Sequence, residues 1–237
     1  MLRKTQSLYK QTQQVIVLTV VSCCVFLTAP SVRADSPLTS TDFATAYQDV
    51  DIVKYASEKG IDEQVFKALS NPDIPYDVRA AIVNALGWSL PLNQENAKSH
   101  NAKAYLKYIA ASHNKPPSAL EIAELTPEEV FSLGYLLAMD NYWNRTLVAI
   151  GGMGQVEQAD ALTLLDAASN KLPDNFSVAL IRSLVVAQKE YLFDPCGIYK
   201  TVSGMVKDFP GKQNMRSQAV EIVMKYITPF QESCPPT

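Results

Sequence analysis

The feature that most constrains this chain is the close spacing of residues that stop helices. Gly60, Asn71-Pro72, Leu90-Pro91, Pro116-Pro117, Pro173, Asp194-Pro195 and Pro210-Gly211 fall between apolar stripes that repeat every three or four positions. Proline removes a backbone donor and clashes with the preceding turn, so no helix passes through these points unbroken. Between them the pattern is helical, and no alternating apolar stretch bounded by turn residues reads as a strand. The chain is therefore expected to be all-α, built of short helices packed as antiparallel hairpins.

Particular starts and stops sharpen that expectation. Ser40 or Thr41 is placed to cap a helix through Tyr47, Ile52 and Tyr55, with Gly60 as its stop, and Asp62 to cap a second with Val65, Phe66 and Leu69 on one face. A third helix from about Pro75 carries Val78, Ala81, Ile82, Ala85 and Leu86 as a stripe, and a fourth runs from Glu95 to Ser112. Ser118 is placed to start a short helix through Ile122. Thr126-Pro127-Glu128-Glu129 has the form of a capping box with proline at the first helical position, the strongest helix start in the chain. Further helices are expected around Leu147 to Ile150 and over 156–170, 174–190, 195–208 and 213–230.

The first 34 residues have a different character. Arg3, Lys4 and Lys10 precede an apolar run from Val15 to Ala29, Pro30 ends it, and Val32-Arg33-Ala34 offers the residues a signal peptidase reads before cleavage between Ala34 and Asp35. The sequence thus predicts a secretory signal peptide over 1–34 and a single helical domain over 35–237, periplasmic or extracellular. Two other readings keep the domain outside the cytoplasm but tie it to a membrane. One is an uncleaved anchor, since the run from Val15 to Val32 reaches the length at which spanning helices begin; the other is lipidation at Cys23, after Val20-Val21-Ser22.

Charge and cysteines narrow the function classes. The chain has a formal charge of −3, and the leader holds four basic residues and no acid, so cleavage leaves the domain at −7. No basic run interleaved with aromatics offers a phosphate-backbone footprint, and nucleic acid is not an expected partner. Of four cysteines, Cys23 and Cys24 lie in the leader, which leaves Cys196 and Cys234. In an oxidising compartment such a pair forms a disulfide, closing a loop of about 40 residues and stabilising the fold by roughly 3 to 4 kcal/mol in the chain-entropy account. Two free thiols are the competing state.

Candidate chemistry is sparse. The two histidines, His100 and His113, stand roughly 140 degrees apart on one helix and cannot share a metal from it. Ser112-His113-Asn114-Lys115 matches Ser-x-x-Lys, but at a helix end where that chemistry wants a helix start. Gly151-Gly152-Met153-Gly154 follows a helical stretch and lacks the Lys-Ser or Lys-Thr of a phosphate loop, so it reads as an interhelical turn. Asn144-Arg145-Thr146 and Asn175-Phe176-Ser177 are formal glycosylation sequons, meaningful only in a eukaryotic secretory route. Among Trp88, Tyr135, Tyr142 and Trp143, the pair Tyr142 and Trp143 at an interhelical break is the first candidate for partner contact. No catalytic, cofactor or metal residue is assigned.

Phe66 to Asp73, followed by Asp77-Val78-Arg79-Ala80-Ala81 and Ala85-Leu86-Gly87, resembles one HEAT-type repeat with Ile74-Pro75-Tyr76 inserted. Ala161-Leu162, Leu165, Ala168, Pro173-Asp174-Asn175 and Ala179 resemble the join between two tetratricopeptide-type repeats, and Leu133-Gly134 with Asn141-Tyr142 is similar to the first helix of one. These resemblances imply an irregular α-solenoid-like stack of hairpins, against a compact helical bundle as the alternative architecture. They also imply binding of proteins or peptides. The expected function is thus a non-enzymatic adaptor, assembly factor or immunity-like protein; the alternative is an envelope hydrolase whose active site assembles only in three dimensions.

Overall fold

In the computed structural model of the chain the described residues are 36–88, 100–140, 149–191 and 193–236. The fold is all-α, with no strand among the described residues. After a 3₁₀ turn at Phe43–Tyr47 come α1 (Asp51–Lys59), α2 (Glu63–Ser70), α3 (Tyr76–Trp88), α4 (Asn101–Ser112), α5 (Pro127–Asp140), α6 (Gln155–Gln158), α7 (Ala161–Lys171), α8 (Phe176–Tyr191), α9 (Pro195–Asp208) and α10 (Ser217–Ile227).

The local signals act where the side chains say they should. Asp62 accepts the Gln64 and Val65 amides to start α2, Asp160 accepts the Thr163 amide to start α7, and Asp194 accepts the Gly197 amide to start α9. Gly60 ends α1 at φ +78°, a conformation a side chain disfavours. At α5 the Thr126 hydroxyl accepts the Glu129 amide (3.2 Å) while Glu129 Oε2 accepts the Thr126 amide (2.9 Å), so the capping box closes in both directions.

Three expected helices come out otherwise. The first is split at Gln48–Val50 into the 3₁₀ turn and α1, and the Thr41 hydroxyl donates to the Pro37 carbonyl (2.9 Å) instead of capping. The stretch from Ser118 winds only into 3₁₀ turns, Pro117–Ala119 and Ile122–Glu124. The helix expected over 156–170 is interrupted between α6 and α7 at Ala159, which is extended (ψ 135°). Parts of the helices expected from Glu95 and around Leu147 fall outside the described residues.

α5 sits at the centre. Every residue from Glu129 to Ala138 is buried, the signature of a helix surrounded by others. α3 runs beside it in parallel, since Tyr76 meets Glu128 and Asn84 meets Tyr135. α4 and α7 are antiparallel to it: Ala102 lies against Asp140 and His113 against Glu129, while Lys171 donates to the Ala123 carbonyl. Gly134 permits the α5–α7 approach, because a Cβ there would stand 3.0 Å from Leu164 Cβ and 3.2 Å from the Leu165 amide nitrogen. α7, α8 and α9 continue as antiparallel hairpins, tied by Arg182–Asp166 (2.6 Å), Lys189–Asp160 (2.9 Å) and the edge-to-face pair Phe176–Phe209. The domain closes on itself at its ends: Arg216 at the start of α10 donates to the Ala46 carbonyl (2.8 Å), grips both oxygens of Asp49 and lies 4.5 Å above the Tyr47 ring.

Candidate functional site

Cys196 and Cys234 are joined, with Cα atoms 4.8 Å apart, fastening the residues after α10 to the first turn of α9. The other positions singled out by sequence, Cys23, Ala34, Asp35, Tyr142 and Trp143, lie outside the described residues.

The residues that carry candidate chemistry are engaged in holding the fold. His100 and His113 flank α4 at opposite ends. His113 Nε2 lies 3.0 Å from Oε2 of Glu129, the carboxylate that also closes the α5 capping box. Ser112 donates to the Ile109 carbonyl (2.8 Å) and Lys115 is paired with Glu124, so Ser-x-x-Lys is not a dyad. Asn175 accepts the Val178 amide (3.2 Å) at the start of α8, and the buried Ser177 hydroxyl donates to the Asn214 carbonyl (2.9 Å). That sequon serves as a helix cap.

The glycine segment is a self-filled turn. One oxygen of Glu157 accepts the amides of Met153 (3.1 Å) and Gly154 (3.0 Å), and the Glu157 carbonyl accepts the Gly151 amide (3.0 Å). The protein's own carboxylate occupies the place an anion would take. Gly151 and Gly152 have φ +88° and +152°, and a Cβ on Gly152 would stand 2.2 Å from the Glu157 carboxyl carbon. The turn therefore needs glycine, and it holds Met153 out at 87% exposure. Phe193, just before α9, is 84% exposed.

Sequence reasoning missed the most heavily engaged polar side chain. Arg79 of α3 is fully buried and donates to the carbonyls of Ala68, Leu69, Asn71 and Ile74, stitching the end of α2 and the turn after it to α3. Its guanidinium lies 5.2 Å from the Tyr76 ring centroid, and burial pushes its pKa down from the ordinary arginine value. Ser132 of α5 also donates to the Leu69 carbonyl (3.2 Å), and Ser70 bonds the buried Tyr105 hydroxyl of α4 (2.8 Å). Four helices thus meet through polar groups around one helix end. The signal was available: Arg79 lies three and four positions before Ile82 and Val83, inside the apolar stripe.

Beside this knot the Glu128 carboxyl is held below its ordinary value. Burial acts upward, but the Tyr76 hydroxyl at 2.6 Å, backbone and Thr126 hydrogen bonds and the Arg79 charge outweigh it. A carboxylate depressed on folding contributes stability above its unfolded value and loses it as pH falls through the folded one. Glu128→Gln should therefore lower Tm at neutral pH, with the deficit shrinking below about pH 4.5, the ordinary glutamate value. Thermal melts of both proteins across this range check it; a deficit constant with pH contradicts it.

Asp42, Ala44, Gln48, Val53, Lys54, Ser57 and Ala85 line a hollow of about 40 Å³, room for little more than water, where burial pushes the Asp42 carboxyl up. Among the described residues no three of His, Cys, Asp and Glu converge to hold a metal ion. None of the described helices is long and apolar enough to cross a membrane. Comparison with protein-family models, curated proteins and solved structures finds no match.

Proposed function

We propose that the helical domain is a secreted or periplasmic, non-enzymatic protein that binds another protein or peptide, in the role of an adaptor, assembly factor or immunity-like partner. The observation that carries this reading is the Met153 turn. A loop whose amides are clamped on Glu157 and whose glycines are conformationally required presents a large apolar side chain to solvent on a backbone that needs little further ordering. The leader pattern of residues 1–34 supports the compartment, and the Cys196–Cys234 bond accords with an oxidising one. The engagement of His113, Ser112 and Lys115 in caps and ion pairs favours binding over hydrolysis.

Affinity capture of the mature protein from its native envelope, followed by mass spectrometry, tests the proposal. The expected result is one reproducible protein partner, captured several-fold less well by Met153→Ser. Retention of a glycan or small molecule with no protein overturns it.

A further inference from the structure

The outer face of α4 combines cationic, small and aromatic side chains. No acid occurs between Asn96 and Leu120, in a mature chain whose net charge is −7. α4 buries Ala102, Tyr105, Leu106, Ile109 and Ala110 against the interior, which turns Lys103, Lys107 and Ala111 outward in one row with Ala104 and Tyr108 beside it. Among the described residues neither Lys103 nor Lys107 has an ion-pair partner, so both charges are available to a ligand. Along the other edge the half-buried Phe66 and Tyr108 rings pack at 5.4 Å over the buried Tyr105, 5.7 Å from Phe66, forming an aromatic wall. The face is thus a strip of alanine between a cationic rail and aromatic rings.

We propose that this face docks an acidic amphipathic helix of a partner protein, with carboxylates on Lys103 and Lys107 and apolar side chains on the alanine strip and the Phe66–Tyr108 wall. The inference rests on the protein-binding reading above and gives it a location and a partner chemistry. Two lysines one turn apart match carboxylates spaced four residues apart on a facing helix, and alanines at 104 and 111 let two helix backbones approach to the usual 8–10 Å. An anionic membrane fits less well, because the row holds only two lysines and is otherwise alanine and tyrosine, fewer than the roughly four to eight basic residues of a lipid-binding cluster. Nucleic acid is disfavoured because two lysines neutralise too few phosphates for a backbone footprint.

Photo-cross-linking in the native envelope tests this, with a benzophenone amino acid at Ala111 and, in separate proteins, at Met153 and at the exposed Glu221 of α10. The expected result is a protein adduct at Ala111 whose linked peptide carries Asp or Glu at four-residue spacing. Lys103→Glu with Lys107→Glu should reduce it at least about tenfold, with circular dichroism unchanged. Adducts at Met153 or Glu221 but none at Ala111 overturn the α4 assignment and leave the protein-binding reading standing. Lipid adducts at Ala111, or a protein adduct indifferent to the charge reversal, also overturn the assignment. No protein adduct at any of the three positions removes both.

Discussion

Arg79→Met lowers stability by about 3–5 kcal/mol, which for a domain of this size moves Tm down by roughly 6–20 °C. Two effects oppose each other. Methionine keeps much of the apolar volume of the stem and removes a buried charge with no ion-pair partner among the described residues, which favours the variant. It also strips a donor from each of the carbonyls of Ala68, Leu69, Asn71 and Ile74, of which that of Leu69 is the most deeply buried. Hydrogen bonds donated by a charged group contribute about 1.5–3 kcal/mol each, and although Leu69 keeps Ser132, Ala68 the Asn71 amide and Asn71 the Ile74 amide, the Ile74 carbonyl loses its donor altogether, so the loss outweighs the gain. Arg79→Lys should not rescue the protein fully, because one ammonium cannot reach carbonyls spread around the forked guanidinium. Urea unfolding followed by circular dichroism measures both; a Met variant within about 1 kcal/mol of the parent refutes the account.

Removing the disulfide with Cys196→Ser and Cys234→Ser destabilises the domain by about 2–4 kcal/mol. The bridge spans 38 positions, for which the chain-entropy account gives about 4 kcal/mol as the upper figure. The expected loss falls below that because most residues from Thr228 to Pro236 are exposed, with Phe230 packed edge-on against Tyr226. Once unfastened, this segment gains freedom in the folded protein too, offsetting part of the entropy gained by the unfolded chain. Hydrogen exchange should accordingly quicken after Ile227 while amides of α5 keep their order of protection. Equal acceleration throughout contradicts that local picture.

The helix boundaries legible in the sequence share one property: their cause is local. Asp62, Thr126 with Glu129, and Asp194 bond amides two or three residues away, and Gly60 needs only its own φ, so a window of a few residues holds the information. The break between Tyr47 and Asp51 is less legible because its partners are remote. Tyr47 hydrogen-bonds Asp77, Asn84 accepts the Ala44 amide, and Arg216 grips Asp49 from the far end of the chain. The glycine turn was correctly read as a turn, but that Glu157 fills it and thereby displays Met153 depended on backbone geometry.

By itself the sequence determined an all-α chain of short helices, several of their caps, the acid-free character of α4 and the pairing available to Cys196 and Cys234. Period, capping and composition are properties of neighbouring residues, and they survive without knowledge of the fold. Only the tertiary structure decided that α5 is the enclosed helix, that Arg79 belongs in the core and that Lys103 and Lys107 face outward beside an aromatic wall. Those outcomes turn on which faces meet across distant stretches of chain, where burial and unmet hydrogen bonds set the free energy, and no local pattern encodes them.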